Sequence, residues 1–289
     1  MKLLRYGEIG REKPGIWFDG AIRDLSGKIS DLDESWISPA GLAKLARIDA
    51  MTLPIVGNSP RLGVPFQGMT KFVGIGLNFA DHAVEAGMDI PKEPPVFMKA
   101  LSCLSGPSDD IVLPYGSVKT DYEVELGVVI GRVSSHISSK QARENIAGFC
   151  VVNDLSERDF QFNRGGTWDK GKSCDTFGPV GPWLVTADEV FDPQSLAMWL
   201  DVNGDRKQSG NTKTMIMKIL DIVSYLSGFM TLNPGDIIAT GTPPGVGMGQ
   251  KPVPMYLRAG DVVELGIEGL GVQRQRVVDL PPAVRHVYG

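Results

Sequence analysis

The chain has 289 residues, enough for one large domain, or one large and one small, with ample core. Its composition, 42% hydrophobic and 22% charged, is that of an ordinary globular protein, and a formal net charge of -5 without any basic run argues against a nucleic-acid or anionic-membrane surface. Cys103, Cys150 and Cys174 are odd in number and lack C-x-x-C spacing, so neither a disulfide framework nor a zinc knuckle is implied. No stretch approaches the roughly 18 apolar residues of a membrane span, and the start of the chain has no signal-peptide core, so a cytoplasmic location is expected. With only His82, His136 and His286 available, any metal is expected to take oxygen ligands.

Residues 1–66 read as a small N-terminal domain. Short strands are predicted at Lys2–Tyr6, Gly15–Phe18 and Ala21–Asp24, followed by a helix with Ser38 as N-cap and Pro39 at its first position, running to about Ile48. The Pro- and Gly-rich stretch Leu53–Gly68 is the expected linker to a larger domain at 70–282. There a strand at Lys71–Ile75 precedes a short helix at Phe79–Glu85, opened by Asn78 and stopped by Gly87. Strands follow at Val96–Lys99, Tyr122–Ile130 and Ala147–Asn153, with a helix near Lys140–Ile146. Leu196–Val202 runs into an Asn203-Gly204 hairpin turn, and Met215–Met230 is predicted as the one long amphipathic helix. Strands at Asp236–Thr240, Asp261–Ile267 and Val272–Val278 complete a loop-rich α+β chain dominated by β-structure.

Glu123 and Glu125 stand one residue apart in the apolar run 122–130. On a strand they project to one face, while Tyr122, Val124 and Leu126 share the other. Two carboxylates side by side in the interior repel each other unless a hard cation fills the gap or one is protonated. The plainer alternative is a polar strand face turned to solvent. Asp154, at the end of an apolar strand, is the candidate third ligand, although Asp after Asn at a strand end is also an ordinary turn residue. Three carboxylates with water suit Mg2+ or Mn2+ better than Zn2+.

His82 and Glu85 lie at i and i+3 of the predicted short helix, where a carboxylate can orient an imidazole that takes a proton from water. An exposed helix pair of little consequence is the competing reading. Arg158 has the chemistry of a carboxylate clamp, and Lys172, set among Gly and Ser, that of a group steadying an enolate. Both could instead be surface cations. Cys174 lacks a nearby histidine and is not expected to be a nucleophile. The loop 240–249 lacks a P-loop ending, Gly74-Ile75-Gly76 lacks the third glycine of a dinucleotide fingerprint, and no Gly-x-Ser-x-Gly elbow exists.

Taken together, these motifs resemble the fumarylacetoacetate hydrolase family. The matching stretches are Gly76-Leu77-Asn78-Phe79-Ala80-Asp81-His82, Asp121-Tyr122-Glu123-Val124-Glu125-Leu126, Asn153-Asp154 with Ser156, Arg158, Asp159 and Gln161, Gly171-Lys172-Ser173 with Asp175, Thr176, Gly178 and Pro179, and Pro234-Gly235-Asp236 leading to Thr240-Gly241-Thr242-Pro243. The resemblance implies a mixed β-sandwich roll for the catalytic domain, a small N-terminal domain, and a homodimer or higher homo-oligomer. It implies Glu123, Glu125 and Asp154 as ligands of a divalent metal, usually Mg2+, with Mn2+ as the alternative. It also implies His82 and Glu85 as a water-activating dyad on a helix that orders with substrate. Lys172, Arg158, Gln161 and Thr242 fall on positions that contact a small-molecule 2-oxo acid. Longer members add an aspartate ligand where this chain has Ile75, so water is expected to complete the shell.

The implied activity is hydrolysis of the C–C bond of a 2,4-dioxo acid. Lys2-Leu3-Leu4-Arg5-Tyr6-Gly7, the stretch 172–179 and the stretch 264–271 are similar to a bacterial subgroup that hydrolyses 2,4-diketo-3-deoxy sugar acids derived from L-rhamnonate or L-fuconate to pyruvate and a hydroxy acid such as lactate. Members of that subgroup are also named ureidoglycolate lyases. Acylpyruvate or fumarylpyruvate hydrolysis, oxaloacetate decarboxylation and 2-hydroxyhepta-2,4-diene-1,7-dioate isomerisation are the further activities the family motifs leave open.

Overall fold

Two apolar runs, Val124–Ile130 and Ile146–Asn153, are buried at every residue, which is the pattern of strands covered on both faces. They lie at the centre of the molecule, and the other elements are arranged around them. The computed structural model describes residues 1–81 and 92–281. In chain order its first strands are β1 (Lys2–Tyr6), β2 (Lys13–Phe18), β3 (Ala21–Asp24), β4 (Phe72–Ile75), β5 (Val96–Lys99) and β6 (Leu104–Ser105). There follow β7 (Ile111–Val112), β8 (Thr120–Asp121), β9 (Val124–Ile130), β10 (Ile146–Asn153), β11 (Ser156–Glu157) and β12 (Gly178–Thr186). The last are β13 (Ala197–Val202), β14 (Asp205–Asn211), β15 (Ile237–Ala239), β16 (Val262–Ile267) and β17 (Gly271–Val278). Among the described residues the α-helices are α1 (Glu34–Ile37), α2 (Pro39–Leu45), α3 (Ser139–Asn145), α4 (Arg158–Asn163), α5 (Asp169–Lys172) and α6 (Ile219–Ser227). No helix among the described residues is long and apolar enough to cross a membrane.

A ten-stranded sheet runs β3-β2-β1-β12-β10-β9-β15-β4-β5, with β6 alongside β12. A five-stranded sheet, β14-β13-β16-β17-β7, packs over it, and Leu200, Val263 and Leu265 share one core with Val124, Val128 and Val151. The result is the strand-dominated α+β sandwich expected. The three N-terminal strands extend the large sheet through β1, where Leu3 is opposite Leu184.

Most local signals are realised. Ser38 Oγ accepts from Gly41 N–H at 3.2 Å and caps α2, whose end tightens into a turn through Ala46–Ile48. The β13–β14 hairpin turns on Asn203 (φ 53°) and Gly204 (φ 84°), the left-handed pair this tight turn requires. The helix expected at Met215–Met230 is the main departure, since α6 spans only Ile219–Ser227. Residues 215–217 are instead recruited by Asn78. Its Oδ1 accepts from Met217 N–H at 2.8 Å, its Nδ2 donates to Met217 O at 3.2 Å and Thr240 O at 2.8 Å, and its own carbonyl accepts from Ile216 N–H. Tertiary partners have taken the backbone groups that a helix would have used. Of the helix expected at Phe79–Glu85, only residues up to Asp81 lie within the described residues.

Asn78 thus ties the turn after β4 to the β15 loop and to the segment before α6. Asn78→Ala is expected to lower stability by about 3 kcal/mol, three side-chain hydrogen bonds at roughly 1 kcal/mol each, read as a fall in the urea midpoint. An unchanged midpoint would show that the turn holds without it.

Candidate active site

The antiparallel register of β9 and β10 sets Glu125 opposite Val152 and Val124 opposite Asn153. One residue further on, Asp154 N–H donates to Glu123 O at 2.9 Å, so the chain delivers Asp154 beside the glutamate pair. One oxygen from each of Glu123, Glu125 and Asp154 lies within 4.8 Å of the others, and all three residues are buried. The solvent-facing alternative for the glutamates is therefore excluded: they are 6% and 2% exposed. The three carboxylates form the floor of a cavity of about 310 Å³, which is also lined by Phe97, Arg158, Gln161, Phe162, Trp168, Lys172 and Thr242.

Lys172, on α5, is buried rather than a surface cation. Its Nζ donates to Glu123 Oε2 and to Asp154 Oδ2, each at 2.6 Å, and lies 4.9 Å from the centroid of the Phe97 ring. Arg158, also buried, donates through Nε to Asp121 Oδ2 at 2.9 Å, through Nη2 to Glu123 Oε1 at 2.6 Å, and through Nη1 to Gln161 Oε1 at 3.0 Å. The guanidinium is thus anchored by the protein's own groups, and three of its five N–H bonds are committed. Gln161 is its partner as well as part of the cavity lining. Thr242 donates its hydroxyl to Val124 O at 3.0 Å and accepts from Gln208 Nε2 at 2.8 Å. His82 and Glu85 lie outside the described residues.

The two glutamates titrate in opposite senses. Burial works to raise Glu123, but Lys172 and Arg158 overcome it and bring its carboxyl down to about 2. Glu125 is raised well above the usual carboxylate range, by burial first and then by the charges of Asp154 and Glu123. It forms no ion pair among the described residues, and Gly241 N–H donates to its Oε2 at 2.8 Å. Lys172 is held above its ordinary value by Asp154 and Glu123, against the desolvation that opposes its charge. A hard divalent cation fits this donor set: three oxygen donors converge, none is His or Cys, and one resists carrying its charge unaided.

Sequence reasoning missed three supporting residues. Lys99 Nζ donates to Asp154 Oδ1 at 2.6 Å, to Leu155 O at 3.2 Å and to Lys172 O, so it braces both the carboxylate and the α5 end. The signal for it was parity, because Lys99 shares the inward face of β5 with Phe97. Asp121 continues the alternation of Glu123 and Glu125, and it anchors Arg158 while accepting from Gly247 N–H and Met248 N–H. Gln208 carried no sequence signal, since its role depends on β14 reaching the β9 and Thr242 segments from another sheet.

A raised folded-state pKa means stability that is present at low pH and lost as pH rises through the folded value. Glu125→Gln removes that loss, so near about pH 8 the metal-free variant is expected to melt above the wild type, with the difference vanishing near about pH 5. The stabilisation conferred by added Mn2+, read by thermal shift, is expected to grow from low to high pH in the wild type and to disappear in Glu125→Gln. Stabilisation that ignores both pH and the substitution would remove Glu125 from the ligand set.

Residues 71–278 match the family model described as fumarylacetoacetate (FAA) hydrolase, C-terminal. A relative from Burkholderia multivorans is 60% identical over 276 residues, covering 95% of this chain and 98% of its own; its name proposes a hydrolase and gives no substrate. Fumarylacetoacetate hydrolase from psychrophilic Exiguobacterium antarcticum superposes with a TM-score of 0.86 at 34% identity, over 97% of this chain and 100% of that one. Maleylpyruvate hydrolase from Sphingobium sp. SYK-6, solved in complex with manganese(II) ion and pyruvate, has a TM-score of 0.81 at 29% identity, with coverages of 97% and 100%. On its sequence, its fold and these relationships, the chain belongs to the fumarylacetoacetate hydrolase family.

Proposed function

We propose that this enzyme is a divalent-metal-dependent hydrolase that cleaves the C–C bond of a 2,4-dioxo acid, most specifically a 2,4-diketo-3-deoxy sugar acid, to pyruvate and a hydroxy acid. The observation that carries the proposal is the buried triad of Glu123, Glu125 and Asp154 in one cavity, with the Lys172 ammonium bridging Glu123 and Asp154. Held by those three carboxylates, Mg2+ or Mn2+ would supply Lewis acidity toward the carboxylate and keto oxygens of a 2-oxo acid. Lys172 places a cation beside the position where enolate charge develops as pyruvate departs. Arg158, Gln161 and Thr242 orient the 2-oxo acid end. By the family resemblance, His82 oriented by Glu85 takes a proton from the water that attacks C4; breaking the C3–C4 bond leaves the pyruvate enolate, which is then protonated at C3. Residues 1–66 would form a small domain ahead of the catalytic domain at 70–282, and the protein would act as a cytoplasmic homodimer.

A second reading is a lyase, decarboxylase or tautomerase working on the same enolate. It is favoured by the fact that the groups gathered at the cavity floor, Lys172 included, serve enolate stabilisation without an activated water.

Pyruvate release from acylpyruvates and diketo-deoxy acids is expected with Mg2+ or Mn2+ and is expected to stop with EDTA. Glu123→Ala and Asp154→Ala are expected to abolish both activity and metal dependence, and His82→Ala to lower hydrolysis by about 10²–10⁴-fold. If no 2,4-dioxo acid yields pyruvate while oxaloacetate is turned over equally by wild type and His82→Ala, the second reading takes its place. A monomer in sedimentation at micromolar concentration would remove the dimer.

A further inference from the structure

We infer that the outer half of the cavity selects a substrate whose tail is neutral and largely apolar, and that it rejects a second carboxylate. This rests on the reading that the 2-oxo acid end occupies the carboxylate floor. Besides the buried carboxylates, the cavity is lined by Phe97, Phe162 and Trp168, together with Leu77 and Met248. The Trp168 ring lies 5.5 Å from that of Phe97 at 48°, and 6.0 Å from that of Phe162 at 79°, so the three form a tilted aromatic surface. Trp168 is seated directly on the backbone of Gly76, where a Cβ would meet its Cζ3 at 2.5 Å, and this fixes the depth of the wall. Phe162 and Met248 stay 48% and 37% exposed, offering apolar surface to whatever occupies the mouth.

Charge leads to the same conclusion. Among the described residues, the cations lining the cavity are Arg158 and Lys172, and each is bound to internal carboxylates. Nearby cations are directed elsewhere: Arg164 donates to Asp159 Oδ2 at 3.0 Å and stacks on Phe160, and Lys170 donates to Arg164 O at 2.7 Å. Residues 82–91, outside the description, contain no lysine or arginine in their sequence. A tail carboxylate would therefore lose its water against aromatic rings, with no free counter-ion among the described residues that line the cavity. A short tail ending in a methyl group, or a plain acyl chain, loses nothing comparable and gains contact area.

The test is binding to the Mn2+-loaded enzyme of two inert 2-oxo acids of equal length, 2-oxohexanoate and 2-oxoadipate, followed by quenching of tryptophan fluorescence. The monoacid is expected to bind at least about tenfold more tightly. Phe162→Arg, and separately Met248→Lys, are expected to tighten the diacid severalfold while leaving the monoacid within about twofold. Equal or tighter binding of the diacid by the wild type, or no binding of either acid, would overturn the inference. A monoacid preference in an enzyme that releases pyruvate from no 2,4-dioxo acid would leave the tail selection standing and remove the hydrolase reading.

Discussion

Buried charge that does not balance is the constraint around which this protein is built. Beneath the cavity, Asp121, Glu123, Glu125 and Asp154 are all buried, and the cations that bond within the cluster are Lys99, Arg158 and Lys172. Three of the carboxylates are matched, and the surplus falls on Glu125, whose titration is pushed upward. Removing charges from water costs several kcal/mol per ion even after relaxation, so such an arrangement persists only where surrounding structure enforces it. The same low dielectric strengthens every remaining interaction with a cation or an anionic substrate. Chemistry and stability therefore depend on the same few atoms.

Enforcement comes from what packs around β9. Val124, Leu126 and Val128 sit in the common core of the two sheets. Buried amides carried by β14 and β17 of the five-stranded sheet serve as struts. Gln208 accepts from Val124 N–H at 2.9 Å and donates to Thr242 Oγ1 and Pro243 O, so it joins the strand between the two glutamates to the loop that carries a cavity-lining hydroxyl. Gln275 donates to Pro107 O and to Gln273 Oε1, and accepts from Asn153, whose own Oδ1 accepts from Glu123 N–H. Each strut satisfies buried polar groups that would otherwise be costly, and each removes freedom from a neighbour of the triad. Leu77, at φ 51° in the left-handed region, is a further sign that the cavity rim is held in place by its surroundings.

How much of this could be read from the chain depended on the range of the interaction. Turn and cap chemistry is local, so Asn203-Gly204 and Ser38-Pro39 announced themselves correctly. The apolar run 215–230 did not, because its periodicity described the part that packs and said nothing of Asn78, far away in sequence, which competes for the backbone of Met217. The glutamate pair was visible as an anomaly, yet periodicity alone allowed either a wet face or an ionic one. Lys99 and Asp121 were present as parity signals and passed over, whereas Gln208 became meaningful only when a second sheet brought it to Thr242.

The sequence by itself determined the family, the α+β character and the identity of the groups available for chemistry, because residue types and their short spacings are properties of the chain. Tertiary structure alone decided that Glu123, Glu125 and Asp154 share one buried cavity, through the register of β9 against β10. It also decided that Lys172 and Arg158 are anchored rather than free, and that Phe97, Phe162 and Trp168 line the same cavity. The physical reason is that charge, burial and distance act through space, and they join residues that the chain holds far apart.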